Sequence, residues 1–171
     1  ESFPGDIVGL HDTGNFKIGD TLTEGEILEF KGVPSFSPEH FRYVNNADPM
    51  KSKQLSKGLD QLMDEGVAQL FTLDLNGRKV IGTVGALQFE VIQYRLEHEY
   101  GAKCSYENVN VHKACWVEPE NESSEEFKEF KRVKQRYLAK DKKGQLVFLA
   151  DSAFTVQMTQ QKYPSVKLHF V

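Results

Sequence analysis

The chain has 171 residues and a formal net charge of −4, with 39% of its residues hydrophobic and 27% charged. That balance belongs to an ordinary globular protein and excludes an acidic disordered tail or a chain that coats nucleic acid indiscriminately, while leaving local basic faces open. The longest apolar runs, such as Leu146–Ala150, are strand-length and too short to span a bilayer, and no basic-then-apolar leader opens the sequence.

Residues 1 to about 25 read as short strands broken by turns, with Asp12-Thr-Gly-Asn15 as a turn cluster between Ile7-Val8 and Phe16-Lys-Ile18. So small an all-β piece cannot hold a core alone, and a strand this near the first residue has nothing before it to pair with. The sequence therefore reads as part of a longer chain. A strand is expected over 26–33, ended by Pro34 and Pro38. Asp48 then reads as an N-cap with Pro49 at the first helical position. Leu55, Leu59, Leu62 and Met63 fall on one face of that helix, and Gly66 ends it.

A strand is expected over 67–75, a tight turn at Asn76-Gly77, and a hairpin partner over 79–83. A second helix over 86–100 carries Phe89, Ile92 and Leu96 as a buried stripe, with Gly101 as terminator. Strands over 103–106 and 109–117 precede a third helix, for which Ser123 and Glu126 form a capping box and Phe127, Phe130 and Tyr137 an apolar face. Leu146–Ala150 is a strand, Asp151-Ser152 caps a fourth helix, and 166–170 closes the chain as a strand. The order β-α-β-β-α-β, then β-α-β-α-β, predicts an α+β fold: a two-layer sandwich with a mixed sheet and a ferredoxin-like βαββαβ element.

The sequence lacks a G-x-x-x-x-G-K-[ST] phosphate loop, a G-x-G-x-x-G fingerprint, an H-E-x-x-H pair and a G-x-S-x-G elbow. His11, His40, His98, His112 and His169 are scattered without ligand spacing, and Glu97-His98-Glu99 reads as a solvated helix face. Cys104 and Cys115 stand outside any CxxC and read as reduced cytosolic thiols. Glu125 and Glu126 complement a helix dipole, a structural role. No catalytic set is visible, so the chain is not expected to be an enzyme or to hold a cofactor or metal.

Basic residues are more informative. Lys128, Arg132 and Arg136 recur every four residues along the third helix, Lys131 and Lys134 flank them, and Lys140, Lys142 and Lys143 follow. Lys53 and Lys57 occupy the exposed side of the first helix. Lys53, Lys57, Lys128, Lys131, Arg132 and Arg136 are the candidate contacts to a phosphate backbone. The plainer account is a solvated helix with cations near its C-terminus. Trp116 lies in an alternating strand and reads as core rather than a stacking platform.

Several stretches resemble the peptide chain release factor 3 family of translation GTPases. Phe3-Pro-Gly-Asp-Ile-Val-Gly-Leu10 and Ile18-Gly-Asp-Thr-Leu22 look like the closing strands of the β-barrel domain II that translation GTPases share. More specific are Lys31-Gly-Val-Pro-Ser-Phe-Ser-Pro-Glu-His-Phe-Arg42, Asp48-Pro49 leading to Lys53-Gln-Leu-Ser-Lys-Gly-Leu59, and Asp64-Glu-Gly-Val-Ala-Gln-Leu-Phe71. The strongest block is Gly82-Thr-Val-Gly-Ala-Leu-Gln-Phe-Glu-Val91 with Tyr94-Arg-Leu96 and Glu99-Tyr100. Weaker matches recur at Trp116-Val117, Phe148-Leu-Ala150 and Tyr163-Pro164, and Cys115 departs from the pattern where an Arg is expected before the Trp.

The resemblance implies that residues 1–30 end a β-barrel domain II and residues 31–171 form the C-terminal domain III. It implies a cytoplasmic parent that binds GTP or GDP with Mg through an N-terminal domain and acts on the terminating ribosome. There the parent promotes departure of class I release factors. This part would supply ribosome docking, to RNA and protein, and coupling to the GTPase domain, with no membrane or DNA partner. Two alternatives stay open: the matching piece of elongation factor G or a ribosome protection protein, or a small-molecule enzyme or sensor on a ferredoxin-like sandwich, which would need a deep polar pocket.

Overall fold

The computed structural model describes residues 2–11, 20–28 and 37–170. The chain divides into two units, Glu1–Pro34 and Ser35–Val171. In the first, every described residue is exposed, including the apolar Phe3, Ile7, Leu10, Leu22 and Ile27. The turn cluster expected at residues 12–15, its second strand and most of the strand expected over 26–33 lie outside the described residues.

The second unit opens with β1 (His40–Asn46). The Asp48 carboxylate then accepts from Met50 N at 3.0 Å, starting a single 3-10 turn with Pro49 at its head. The turn runs into α1 (Ser52–Asp64), whose apolar stripe Leu55, Leu59, Leu62 and Met63 is buried as the spacing requires. β2 (Gln69–Leu73) and β3 (Lys79–Thr83) form the hairpin expected around Asn76-Gly77. α2 (Gln88–Tyr100) buries Phe89, Ile92 and Leu96 and ends at Gly101, whose φ of 62° is the left-handed conformation that glycine adopts without penalty.

After β4 (Cys104–Asn108) and β5 (Lys113–Pro119), the third helix departs from expectation. Its N-cap is Ser124, whose hydroxyl accepts from Phe127 N at 3.2 Å, not Ser123. Glu126 does not close a capping box; it reaches out to accept from Ser165 N at 3.1 Å. α3 covers only Glu125–Val133, and Lys134 leads into a 3-10 turn over Gln135–Tyr137. The chain then enters β6 (Leu138–Lys140), a strand the sequence pattern did not announce. β7 (Leu146–Ala150), α4 (Ala153–Lys162, capped by Ser152) and β8 (Val166–His169) complete the unit.

The eight strands form one sheet in the order β4-β1-β3-β2-β6-β7-β5-β8, and every pairing is antiparallel. The α+β class holds, while the mixed sheet is corrected. Two insertions explain why. β3 sits between β1 and β2, the strands that α1 joins, and β6 reverses the chain between α3 and β7, which would otherwise have run as a parallel crossover from β5.

Both faces of the sheet are buried, which goes beyond two layers. Under α1 and α2 lie Val44, Leu70, Ile81 and Cys104; under α3 and α4 lie Cys115, Leu138, Phe148 and Val166. The opposite face carries Phe41, Phe71, Val80, Ala114, Ala139, Val147 and Leu149 as a third cluster drawn from both halves. Phe71 on β2 and Trp116 on β5 are separated by β6 and β7, yet their ring centroids are 6.1 Å apart. Three strand spacings in a flat sheet amount to roughly 14 Å. The sheet therefore curls with this face inside.

α1 and α2 pack closest at Gly58, where an added Cβ would stand 2.7 Å from Leu96 Cδ2 and 2.8 Å from Tyr100 Cγ. Gly58→Val should force the helices apart and cost about 1–3 kcal/mol, the usual range for overpacking a filled site. Urea unfolding checks this; an unchanged midpoint would show that the contact has slack.

Candidate nucleic-acid interface

The block that most resembles a known family proves to be a folding device. Gln88 Oε1 accepts from Val84 N at 2.9 Å and Gly85 N at 3.0 Å, while its amide nitrogen donates to Val67 O at 3.2 Å. One side chain thus fastens the turn after β3 to the strand start before β2. Gly82 lies beneath Pro38, where a Cβ would come within 2.8 Å of the proline ring, so the position excludes larger residues. Position 115, where the resemblance expects Arg, holds a wholly buried thiol beneath α3 and α4.

The six candidate cations do not form one face. Lys53 and Lys57 are exposed on α1, opposite its buried leucines, with no ion-pair partner among the described residues. Lys128 is paired with Glu125 at 2.7 Å. Lys131 Nζ stands 4.6 Å from the Phe127 ring centroid. Arg132 is exposed beside a shallow cleft lined by Glu125, Glu126, Lys128, Glu129, Lys162 and Tyr163.

Arg136 falls outside α3 altogether, because the helix stops at Val133. Its guanidinium lies 4.5 Å from the Tyr137 ring centroid and donates to the Tyr137 hydroxyl, which in turn donates to Asp151 at 3.1 Å. The four-residue spacing that suggested one stripe through Lys128, Arg132 and Arg136 is broken by this early end. Of the later lysines, Lys142 is taken up structurally: it bridges to Asp64 at 2.7 Å and donates to Asp60 O at 2.6 Å.

Two cations that sequence reasoning left out of its candidate set stand close by. Lys134 caps the end of α3, and Lys162 ends α4 beside Tyr163, over whose ring it lies at 5.0 Å. The pKa of Lys134 is lowered by burial and then by the charges of Lys162 and Arg136, against a smaller opposing pull from Asp151. The Asp151 carboxyl is held below the usual range, chiefly by the Thr155 hydroxyl. Each lysine lies within a few residues of an aromatic side chain in sequence, a signal that becomes legible only once the rings are known to cluster.

The second cleft, lined by residues such as Asn45, Ser52, Ser56 and Arg78, is shallow too. Among the described residues no three His, Cys, Asp or Glu side chains gather as metal ligands, and no helix is long and apolar enough to cross a membrane.

Comparison with known proteins bears on this geometry. Residues 30–160, more than half of the chain, match the family model of the class II release factor RF3, C-terminal domain. The fold therefore carries a class II release factor domain. The chain belongs to the RF3 C-terminal domain family. Among solved structures, the crystal structure of a protein from Thermus thermophilus is similar at 19% identity and a TM-score of 0.43, over 56% of this chain and 16% of that one. The chain thus spans about a sixth of that relative's length.

The two cysteines are free and buried. Burial pushes the Cys115 thiol from 9.0 up to about 12 and raises Cys104 as well. A thiol raised in the folded state stays neutral while its unfolded counterpart ionises, so stability is full below pH 9 and falls as pH rises from 9 toward 12. Urea unfolding across this range should show that decline, less steep in Cys115→Ala. Parallel slopes for the two proteins would show that the thiol is solvated.

Proposed function

We propose that this chain is the non-catalytic C-terminal part of a bacterial translation-termination GTPase that recycles class I release factors from the ribosome. Its task is docking to the ribosome and coupling that contact to the GTPase domain. The observation that carries the reading is the family match over residues 30–160. It is supported by exposed cations on α1 and around the end of α3, and by clefts too open to enclose a small substrate. GTP or GDP with Mg would bind in the N-terminal domain of the whole protein, and this chain would hold no cofactor of its own. The whole protein would work in the cytoplasm.

The exposed apolar residues of the first unit suit strands that close a β-barrel domain II with partners elsewhere in the protein. The β4-β1-β3-β2 half of the sheet, crossed by α1 and α2, has the strand order of a ferredoxin-like element. Arg95 ties α2 to the end of α1 through Glu65 at 2.6 Å and braces itself on Glu99 at 2.7 Å. Such bracing favours transmission of movement as a rigid body.

The chain should pellet with ribosomes, and less so as salt rises. Charge reversal at Lys53, Lys57 and Arg132 together should weaken pelleting several-fold at a fixed salt concentration. Undiminished pelleting would remove these three residues from the interface; no pelleting at any salt concentration would remove the docking role from this chain.

A further inference from the structure

Beneath α3 and α4 lies a connected run of aromatic rings. Phe127 and Phe130 are 6.1 Å apart, Phe130 meets Phe148 at 6.0 Å and Tyr163 at 5.5 Å, and Tyr137 meets Phe148 at 5.3 Å. The rings at its rim carry cations. Lys131 lies over Phe127 at 4.6 Å, Lys134 and Arg136 over Tyr137 at 5.7 and 4.5 Å, and Lys162 over Tyr163 at 5.0 Å. Lys131, Lys134 and Arg136 follow one another along α3 and the 3-10 turn after it, and the shared ring cluster brings Lys162 to them from the end of α4.

What surrounds them leaves their charge unspent. Among the described residues Lys131, Lys134 and Arg136 have no carboxylate within ion-pair distance, and Lys162 shares only the half-exposed Glu129 at 3.2 Å. Asp151, whose charge acts on Lys134 and Arg136, has its oxygens occupied by Thr155, Ser152 and the Tyr137 hydroxyl. Lys128 and Lys142 make the contrast, since each is committed to a carboxylate at 2.7 Å. A ring face holds a cation in place without using up its N–H donors, and Arg136, which gives one to the Tyr137 hydroxyl, keeps the rest of its fork, so the side chains are ordered in advance and still free to bind an anion. The pKa of Lys134 is lowered first by its partial burial and then by the neighbouring charges of Lys162 and Arg136, which Asp151 only partly offsets. Helix dipoles favour cations at both C-termini, but they do not account for Arg136, which lies past the end of α3 and over a ring.

The geometry points to Lys131, Lys134, Arg136 and Lys162 as one preorganised surface for the phosphate groups of an RNA backbone, an inference that rests on the ribosome-docking role proposed above. It moves the contact from the continuous helix face read in the sequence to the junction of α3 and α4, and it gives Lys134 and Lys162 a role that the spacing did not. Lysine ammoniums contribute point charges here, and the Arg136 guanidinium contributes the planar fork suited to bidentate phosphate binding.

The test measures anisotropy of a labelled short RNA duplex with the whole chain over a KCl series. A variant carrying Lys131→Gln, Lys134→Gln, Arg136→Gln and Lys162→Gln is compared with one carrying Lys51→Gln, Lys79→Gln, Lys103→Gln and Lys167→Gln. The first should lose about 0.9 from the log-affinity against log-salt slope for each phosphate contact removed. The second should keep the parent slope, and so should Lys134→Arg with Lys162→Arg, which preserves the charge if the glutamines disturb the fold. Equal losses in the two glutamine variants, or no binding of the duplex at all, would overturn the inference. Ribosome pelleting of the same proteins separates the two ideas: salt-sensitive pelleting that persists undiminished in the first variant leaves docking intact and removes this surface from it.

Discussion

Ala139 lies where the two halves of the sheet meet. It belongs to β6, which contributes only Leu138–Lys140 but pairs with β2 on one side and β7 on the other. Alternation along this short strand serves two cores at once: Leu138 enters the cluster under α3 and α4, and Ala139 enters the cluster inside the curl. A small residue is needed at the second position, since Phe71 and Trp116 converge nearby from opposite halves. The turn that follows is held by Asp141, which accepts from Lys143 N, Gln145 N and Trp116 Nε1. Lys142, on the same turn, reaches α1. Pairing, packing and a charged tether therefore all act across one seam, and they make the second unit one body rather than two small sheets.

A continuous sheet still has two ends, and each is covered by a glutamine from the adjacent helix. Gln93 on α2 donates to Cys104 O at 2.9 Å on the outer side of β4. Gln160 on α4 donates to Val166 O at 3.1 Å and accepts from Leu168 N at 3.1 Å on the outer side of β8. A side-chain amide offers the same donor and acceptor as a peptide unit, so these residues occupy groups that would otherwise template another strand. The edges are blunted, and the surface left for partners is that of the helices.

That surface is uneven in charge. The chain is acidic overall, and several of its exposed lysines, Lys103, Lys128, Lys142 and Lys167, are paired with carboxylates. Among the described residues Lys131, Lys134 and Arg136, seated on the aromatic cluster, lack such a partner, as do Lys53 and Lys57 on α1. The cations on the cluster take their positions from packing: once Phe130, Phe148 and Tyr163 are buried, the half-buried ring of Tyr137 lies at the border of the core, where a long basic side chain can lay its stem along apolar surface and keep its head in water. A patch suited to phosphate thus arises as a by-product of how the second core closes.

The sequence by itself determined the helices and most of the strands, because their signals are local. Asp48-Pro49 opens the first helical segment, leucine spacing sets the buried face of α1, Gly101 ends α2, and Asn76-Gly77 turns the hairpin, all through contacts spanning a few residues. The family resemblance was legible for the same reason, since its strongest block encodes the Gln88-fastened turn after β3. Only the tertiary structure decided the rest. Three residues are too few to show a strand period, so β6 and the antiparallel course it imposes had no local signature. α3 ends early because Tyr137 turns inward against Phe148, which no spacing along the helix reveals, and with that end the supposed stripe through Arg136 dissolved. Lys162 joined Lys134 and Arg136 through rings that meet across the core, and contacts between residues distant in sequence are what a one-dimensional pattern does not carry.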